Sequence, residues 1–353
     1  MLPPLSTEDS NMRKLVTTYL PGILLTGLIA AIGMMLANMT WATHLGLSGL
    51  TMAILLGIVV GNTCYPRLAD KSHAGIQFAK GKLLRSGVVL YGLKITFWQI
   101  ASVGINAILI DIVVLSSTML LAYWLGTRYL KLDRDTALLI GAGSSICGAA
   151  AVMATEPVLK AHANKVSIAV ATVVVFGTLS MFIYPLLFHF FEHKLTIFNN
   201  QLSYGIFAGS TIHEVAQVFA AGQAVGNQAA DSAVIVKMIR VMMLAPVLLL
   251  MSALVARRTD GSDERKKITI PWFALLFIVM AITHSLGIIP ARIIILLVNL
   301  DTILLSMAMA ALGVTTHLQS IRAAGIKPLL LGSLLFAYLI VGGGIINMVI
   351  NRL

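Results

Sequence analysis

Charge is what this chain has least of. Only 11% of its 353 residues are Asp, Glu, Lys or Arg, and just 14 are acidic. A soluble globular protein carries about a quarter charged residues, so a water-facing fold of this size is excluded, and so is a solvated disordered chain. Cysteine is nearly absent, and Cys64 and Cys147 lie too far apart in sequence to suggest a disulfide framework. The glycine spacing fits no dinucleotide fingerprint and no serine elbow. His213 and Glu214 are adjacent and cannot face one zinc ion together, so neither metal nor cofactor is expected. What remains is apolar: 58% of residues are hydrophobic and the mean hydropathy is +0.92. The net charge of +11 resides in loops between apolar runs, which removes the nucleic-acid reading it first invites. The chain reads as an all-α integral membrane protein.

A helix needs about 20 apolar residues to cross the hydrocarbon. Such runs recur at roughly 15–37, 46–62, 83–104, 106–126, 136–158, 166–189, 204–224, 232–256, 270–288, 292–315 and 327–351. The first is too long and too polar-flanked for a signal peptide. Cytoplasmic loops retain Lys and Arg. Eleven spans with the N-terminus inside place Arg13, Lys14, Arg67, Lys71, Lys80, Lys82, Arg85, Arg128, Lys131, Arg134, Lys194, Arg257, Arg258, Arg265, Lys266, Lys267, Arg322 and Lys327 on one side, and Lys160, Lys165, Arg292 and Arg352 on the other. The C-terminus is then periplasmic.

Short internal matches suggest a repeat. K-L-L-R at Lys82–Arg85 resembles K-M-I-R at Lys237–Arg240, and D-T-A-L-L from Asp135 resembles D-T-I-L-L from Asp301. Each pair lies five spans apart, and an odd spacing inverts the second copy. The expected architecture is therefore two inverted five-helix repeats, 46–189 and 190–353, with crossing interrupted helices and an extra N-terminal helix in 1–45. Inverted repeats characterise secondary transporters.

The fifth span carries G-A-G-S-S-I-C-G-A-A-A-V, Gly141 to Val152. Glycine inside a helix costs up to about 1 kcal/mol relative to alanine, so Gly141, Gly143 and Gly148 with Ser144 and Ser145 mark either a helix break or tight packing through small residues. A half-helix starting there offers amide groups and partial positive charge to an anion. The tenth span supplies the expected counterpart, Ser306 to His317, with hydroxyls at Thr315 and Thr316. The seventh carries G-S-T-I-H-E-V-A-Q-V, placing His213 and Glu214 at membrane depth, where ionisable groups are functional candidates by default. Lys237 and Arg240 either bond Glu214 or snorkel outward. Asp111 reads as a counter-ion for Lys94, and Glu156 as the partner of Lys160.

With the sequences around Gly141–Val158 and Gly209–Val218, and K-M-I-R-V-M-M-L-A-P, the chain resembles the YeiH family of bacterial inner-membrane proteins, which carry the label of sulfate exporters. The resemblance implies a core domain with crossing interrupted helices, the fifth and tenth spans, flanked by the fourth, sixth, ninth and eleventh. It implies a panel of the second, third, seventh and eighth. The expected function is secondary transport of a small anion such as sulfate or sulfite, by alternating access. The expected ligands are Gly141, Gly143, Ser144, Ser145, Gly148, His213, Glu214, Lys237, Arg240 and Thr315, with Glu214 or His213 coupling to protons. A sodium/proton antiporter and an intramembrane serine hydrolase using Ser144 or Ser145 with His213 stand as alternatives. The expected partners are the small anion, a coupling proton or sodium ion and the lipid bilayer, with a homodimer left open.

Overall fold

The computed structural model describes residues 7–39, 49–192, 194–256, 272–316 and 325–351. The loop Arg257–Lys267, read above as a cytoplasmic linker, lies outside the described residues, as do His317, Arg322 and Arg352. Among the described residues all regular structure is helical. In chain order the helices are α1 (Thr7–Ala37), α2 (Gly49–Thr63), α3 (Tyr65–Phe78), α4 (Leu84–Tyr91), α5 (Phe97–Trp124), α6 (Arg134–Ser145), α7 (Ala149–Leu159), α8 (Ala163–Phe191), α9 (Gln201–Thr211), α10 (Val215–Gln223), α11 (Asn227–Met242), α12 (Leu244–Ala256), α13 (Trp272–Ser285), α14 (Ala291–Val314) and α15 (Ile326–Ile350). Among the described residues, six segments are long and apolar enough to cross a membrane: Thr17–Ala37, Val103–Tyr129, Asn164–Phe191, Asn227–Ala253, Ala291–Val314 and Ile326–Ile350.

The chain divides into two compact units, Met1–Lys94 with Gly287–His317, and Ile95–Leu286 with Leu318–Leu353. The first holds α1–α4 and α14. Its helices meet at glycines, as membrane helices do where small residues let backbones approach. A methyl group on Gly22 would stand 2.6 Å from Gly75 Cα, and one on Gly313 would stand 2.3 Å from Ile54 O and 2.9 Å from Gly57 Cα. These contacts join α1 to α3 and α2 to α14.

The second unit holds α5–α13 and α15. Two of its segments, expected to cross, instead turn back on themselves. Lys165, at the start of α8, bonds Asp133 Oδ1 at 2.6 Å and Asp135 Oδ2 at 2.9 Å, both at the start of α6. Ala137, Val152, Ala161 and Val166 share one apolar cluster, with Leu130, Leu132 and Leu159 packed against it. The α6–α7 segment therefore enters and leaves at the same end of the bundle. At the other end of α8, Phe188 packs on Tyr204 of α9. There Tyr204 donates its hydroxyl to Ala221 O at 3.1 Å, and a methyl on Gly226 would stand 2.4 Å from Gln201 Oε1. Thus α9–α10 is a second hairpin, opening at the opposite end. With 12 and 11 residues in α6 and α9, each entering leg is about 16–18 Å long. That is a little over half a hydrocarbon core of about 30 Å.

Several expectations are corrected by this arrangement. The spans at 136–158 and 204–224 are hairpins, so Lys165 lies at the end occupied by Asp133 and Arg134, not across from it. The tenth span is an unbroken helix, Ala291–Val314, and the second interruption lies at Ile212–Glu214. The tenth span is therefore not the interrupted counterpart expected for the fifth. The seventh and eighth spans belong with the fifth, whereas the tenth joins the second and the part of the third up to Lys94. A short sequence match such as D-T-x-L-L records helix-start chemistry, not a shared break.

The Asp133 carboxylate also accepts from Thr136 N at 3.2 Å and caps α6. Burial raises its pKa, but the hydrogen bonds from Lys165 and Thr136 outweigh that and hold it below the ordinary carboxylate range. The sign follows: this stabilisation is present above the unfolded pKa, about 4, and is lost as pH falls through the lower folded value. With both side chains partly exposed, about 0.2–1 kcal/mol is expected. Thermal scans of Asp133→Asn should show that deficit at neutral pH and its disappearance on acidification. A second comparison tests the glycine contacts: Gly313→Ala should cost about 1–3 kcal/mol by overpacking, while Gly81→Ala, with nothing within 4 Å of the added methyl, should be near neutral.

Candidate functional site

The tips of the two hairpins come together around α11. Helix α6 ends at Ser145 and the chain leaves helical geometry at Ile146 (φ −119°, ψ −85°). It turns at Gly148 (φ +73°, ψ −141°), a conformation open essentially to glycine alone. Helix α9 ends at Thr211, passes through extended Ile212 (ψ 150°) and restarts after Glu214. Each broken helix leaves C-terminal carbonyls without intrahelical donors and carries a partial negative charge there.

Two fully buried cations of α11 answer that deficit. Arg240 donates from Nε to Ser145 O at 2.6 Å, from Nη2 to Ser144 O at 3.2 Å and from Nη1 to Ser210 O at 2.5 Å. Lys237 Nζ donates to Ile146 O at 2.8 Å and Ile212 O at 2.5 Å. One helical turn apart on one helix, the pair ties both broken ends to a single element. Neither snorkels outward and neither bonds Glu214, contrary to both sequence readings. Asn347 of α15 supports the same corner, donating to Ser210 Oγ at 3.1 Å.

The close fit needs small residues on both sides. A methyl on Gly209 would stand 2.5 Å from Ala233 O, and one on Gly222 would stand 2.6 Å from Ala230 Cα, so the alanine face of α11 admits the second hairpin. Gly141 and Gly143 serve the first: added methyls would stand 2.8 Å from Ala122 Cβ and 2.6 Å from a Val173 methyl. The small-residue run thus contains both things the sequence left open, packing at Gly141 and Gly143 and a break at Ile146–Gly148.

Opposite chemistry appears at the restarting helices. Ala149 N, at the positive end of α7, donates to Glu214 Oε1 across 3.4 Å, and the Glu214 side chain lies directly over Gly148, where a methyl would stand 2.3 Å from its Cγ. Glu214 N donates in turn to Gln217 Oε1 at 3.1 Å. His213 and Ser145 are buried at the tips, and His213 Nδ1 and Ser145 Oγ have no hydrogen-bond partner among the described residues. Thr315 falls elsewhere, in the first unit, where its hydroxyl accepts from Lys80 Nζ at 3.2 Å. Lys94 stacks over Tyr91 and acts on Asp301, not Asp111. Lys160 gives its backbone N–H to Glu156 O and forms no ion pair with it among the described residues.

A sequence signal for the second break existed. Gly143-Ser144-Ser145-Ile146-Cys147-Gly148 matches Gly209-Ser210-Thr211-Ile212-His213-Glu214 position by position in structure: hydroxyl residue at the last helical position, isoleucine at the break, then the N-cap. The residue given the wrong partner is Asp111 on α5, read above as a counter-ion for Lys94 but fully buried and within electrostatic reach of Arg240 and Lys237.

Apolar helices of spanning length, and a buried charged knot joining two broken hairpins, define a helical membrane protein. Its relatives agree. The family described as Conserved hypothetical protein 698 matches residues 21–332. A UPF0324 membrane protein of Yersinia pestis is 56% identical, covering 96% of this chain and 94% of its own. The UPF0324 inner membrane protein YeiH of Escherichia coli K12 is 53% identical over 94% of this chain and 95% of its own. YeiH of Salmonella typhi is 51% identical over 97% of both. The chain belongs to this UPF0324, or YeiH, family. No solved structure matches it.

Arg240→Met should orphan the Ser144, Ser145 and Ser210 carbonyls at about 1 kcal/mol or more each. Thermal unfolding in detergent should show a loss of about 3 kcal/mol or more, and Arg240→Lys, a point charge without the fork, should recover only part of it.

Proposed function

We propose that this protein is a secondary transporter for a small anion, with sulfate and sulfite the first substrates to try, in the bacterial inner membrane. The observation that supports this reading most directly is the Glu214 carboxylate at the N-terminus of α7, seated on Gly148. A carboxylate there is an internal anion. When Glu214 takes up a proton, the amide end of α7 is open to a substrate oxyanion, with Lys237 and Arg240 adding positive potential behind it. Proton and anion binding are thereby linked, and His213, buried at the same tip, lies beside the path. Opposed hairpins favour alternating access, because each tip is reached from its own end of the bundle. Arg128, Lys131, Arg134, Lys160 and Lys165 gather where α6–α7 opens, so that end is assigned to the cytoplasm and the α9–α10 opening to the periplasm. Even with two runs counted as hairpins, an odd number of spans keeps the N-terminus inside and the C-terminus outside.

The competing readings are weaker on physical grounds. A sodium/proton antiporter needs a carboxylate open to a cation, yet Glu214 lies on a helix N-terminus and Asp111 faces two cations. A serine hydrolase needs a base in hydrogen-bond reach of its nucleophile, yet among the described residues Ser145 Oγ and His213 Nδ1 have no partner, which counts against a Ser145–His213 pair.

Binding of sulfate, sulfite, thiosulfate and small carboxylates to the purified protein tests the proposal. Wild-type affinity for one of these should improve as pH falls. Glu214→Gln should bind it about tenfold tighter at neutral pH, the equivalent of removing one charge-assisted competitor, and should lose the pH dependence. Absence of binding and of proteoliposome flux for all four would reject the transporter reading.

A further inference from the structure

Asp111 is the buried group that the proposed cycle leaves unused. It lies in the middle of α5, fully buried, and neither carboxylate oxygen has a hydrogen-bond partner among the described residues. An ionised carboxylate in that state is costly, because burial strips its water and no donor replaces it. Two cations act on it, Arg240 and Lys237 of α11. Their donors, however, are committed to the carbonyls of Ser144, Ser145, Ile146, Ser210 and Ile212. The other elements packed on α5 are α6, α9, α13 and α15. On α6, Asp135 is tied to Lys165. On α9, Tyr204 gives its hydroxyl to Ala221 O, and on α13, His284 bonds Ile95 O. On α15, Lys327 lies in the first turn, remote in the helix from Asn347, which meets the hairpin corner.

We infer that Asp111 is a proton-carrying residue of this protein, protonated while Lys237 and Arg240 hold the two broken helix ends, and ionised when either cation releases a carbonyl and turns to it. The exchange balances charge. With the carbonyls bound, the knot holds two cations and a neutral acid. When a carbonyl is released, the freed ammonium or guanidinium N–H bonds the carboxylate, and the proton leaves its oxygen for water. Asp111 would thus report whether the hairpin tips are tied or loosened. Its protonation stands apart from the transporter reading, whereas its part in coupling rests on that reading.

The experiment therefore has two arms. Infrared spectra of the purified protein near neutral pH, in H2O and D2O, should show a protonated carboxylic acid C=O band that Asp111→Asn removes. Asp301→Asn serves as the comparison, since that carboxyl is also buried without a hydrogen-bond partner among the described residues, in the first unit. Asp111→Asn keeps the neutral, tied state and should fold. If it loses no acid band, Asp111 is ionised and the inference is overturned. In proteoliposomes with labelled sulfite, Asp111→Asn should retain exchange at equal pH while an imposed pH gradient no longer accelerates it, and Asp111→Glu should restore the response. Normal gradient response in Asp111→Asn would overturn the coupling role even if the band is lost. A wild type without sulfite flux would count against the transporter reading and its coupling role, and the infrared arm would still decide the protonation.

Discussion

Two buried cations holding five backbone carbonyls are the interaction on which the rest of the second unit depends. A helix that stops inside an apolar environment leaves carbonyls that water would otherwise solvate, and two such ends brought together add their partial negative charges. Lys237 and Arg240 satisfy both needs at once. Their own burial is tolerable for the same reason, since each is stabilised by oxygen dipoles in place of water. Remove the breaks and the cations are stranded; remove the cations and the breaks have no donors.

The restarting helices pose the complementary problem, and an acid meets it. Glu214 belongs to the second hairpin but offers its carboxylate to the first amide of α7 in the other. Such an exchange needs backbone and side chain closer than a Cβ allows, which is why Gly148 stands there with a positive φ. The tips therefore separate charge by helix polarity: cations at C-terminal ends, an anion at an N-terminal end. A substrate anion competing with Glu214 follows from that polarity.

Much of this was visible in the residue order. The low charge and long apolar runs required a membrane, the G-A-G-S-S-I-C-G run marked either a break or close packing, and His213, Glu214, Lys237 and Arg240 stood out as ionisable groups at membrane depth. The misreadings have a common origin. Matching D-T-A-L-L with D-T-I-L-L compared helix beginnings, where capping chemistry recurs in unrelated helices, and so paired the fifth span with an unbroken one. The informative comparison was of helix endings, Ser144-Ser145-Ile146 with Ser210-Thr211-Ile212, because only an ending exposes carbonyls that demand a donor.

Composition and periodicity determined what environment the chain occupies and where its helices are weak, because both are local properties: transfer free energy adds residue by residue, and glycine weakens whichever turn contains it. Direction was decided only in three dimensions. A run of 23 to 26 residues with a central break can continue through the bilayer or return, and the local sequence is compatible with either. Contacts distant in sequence made the choice here, Lys165 with Asp133 at one mouth and Gln201 with Gly226 at the other. The same holds for Asp111, whose environment is made by a helix more than a hundred residues further along the chain.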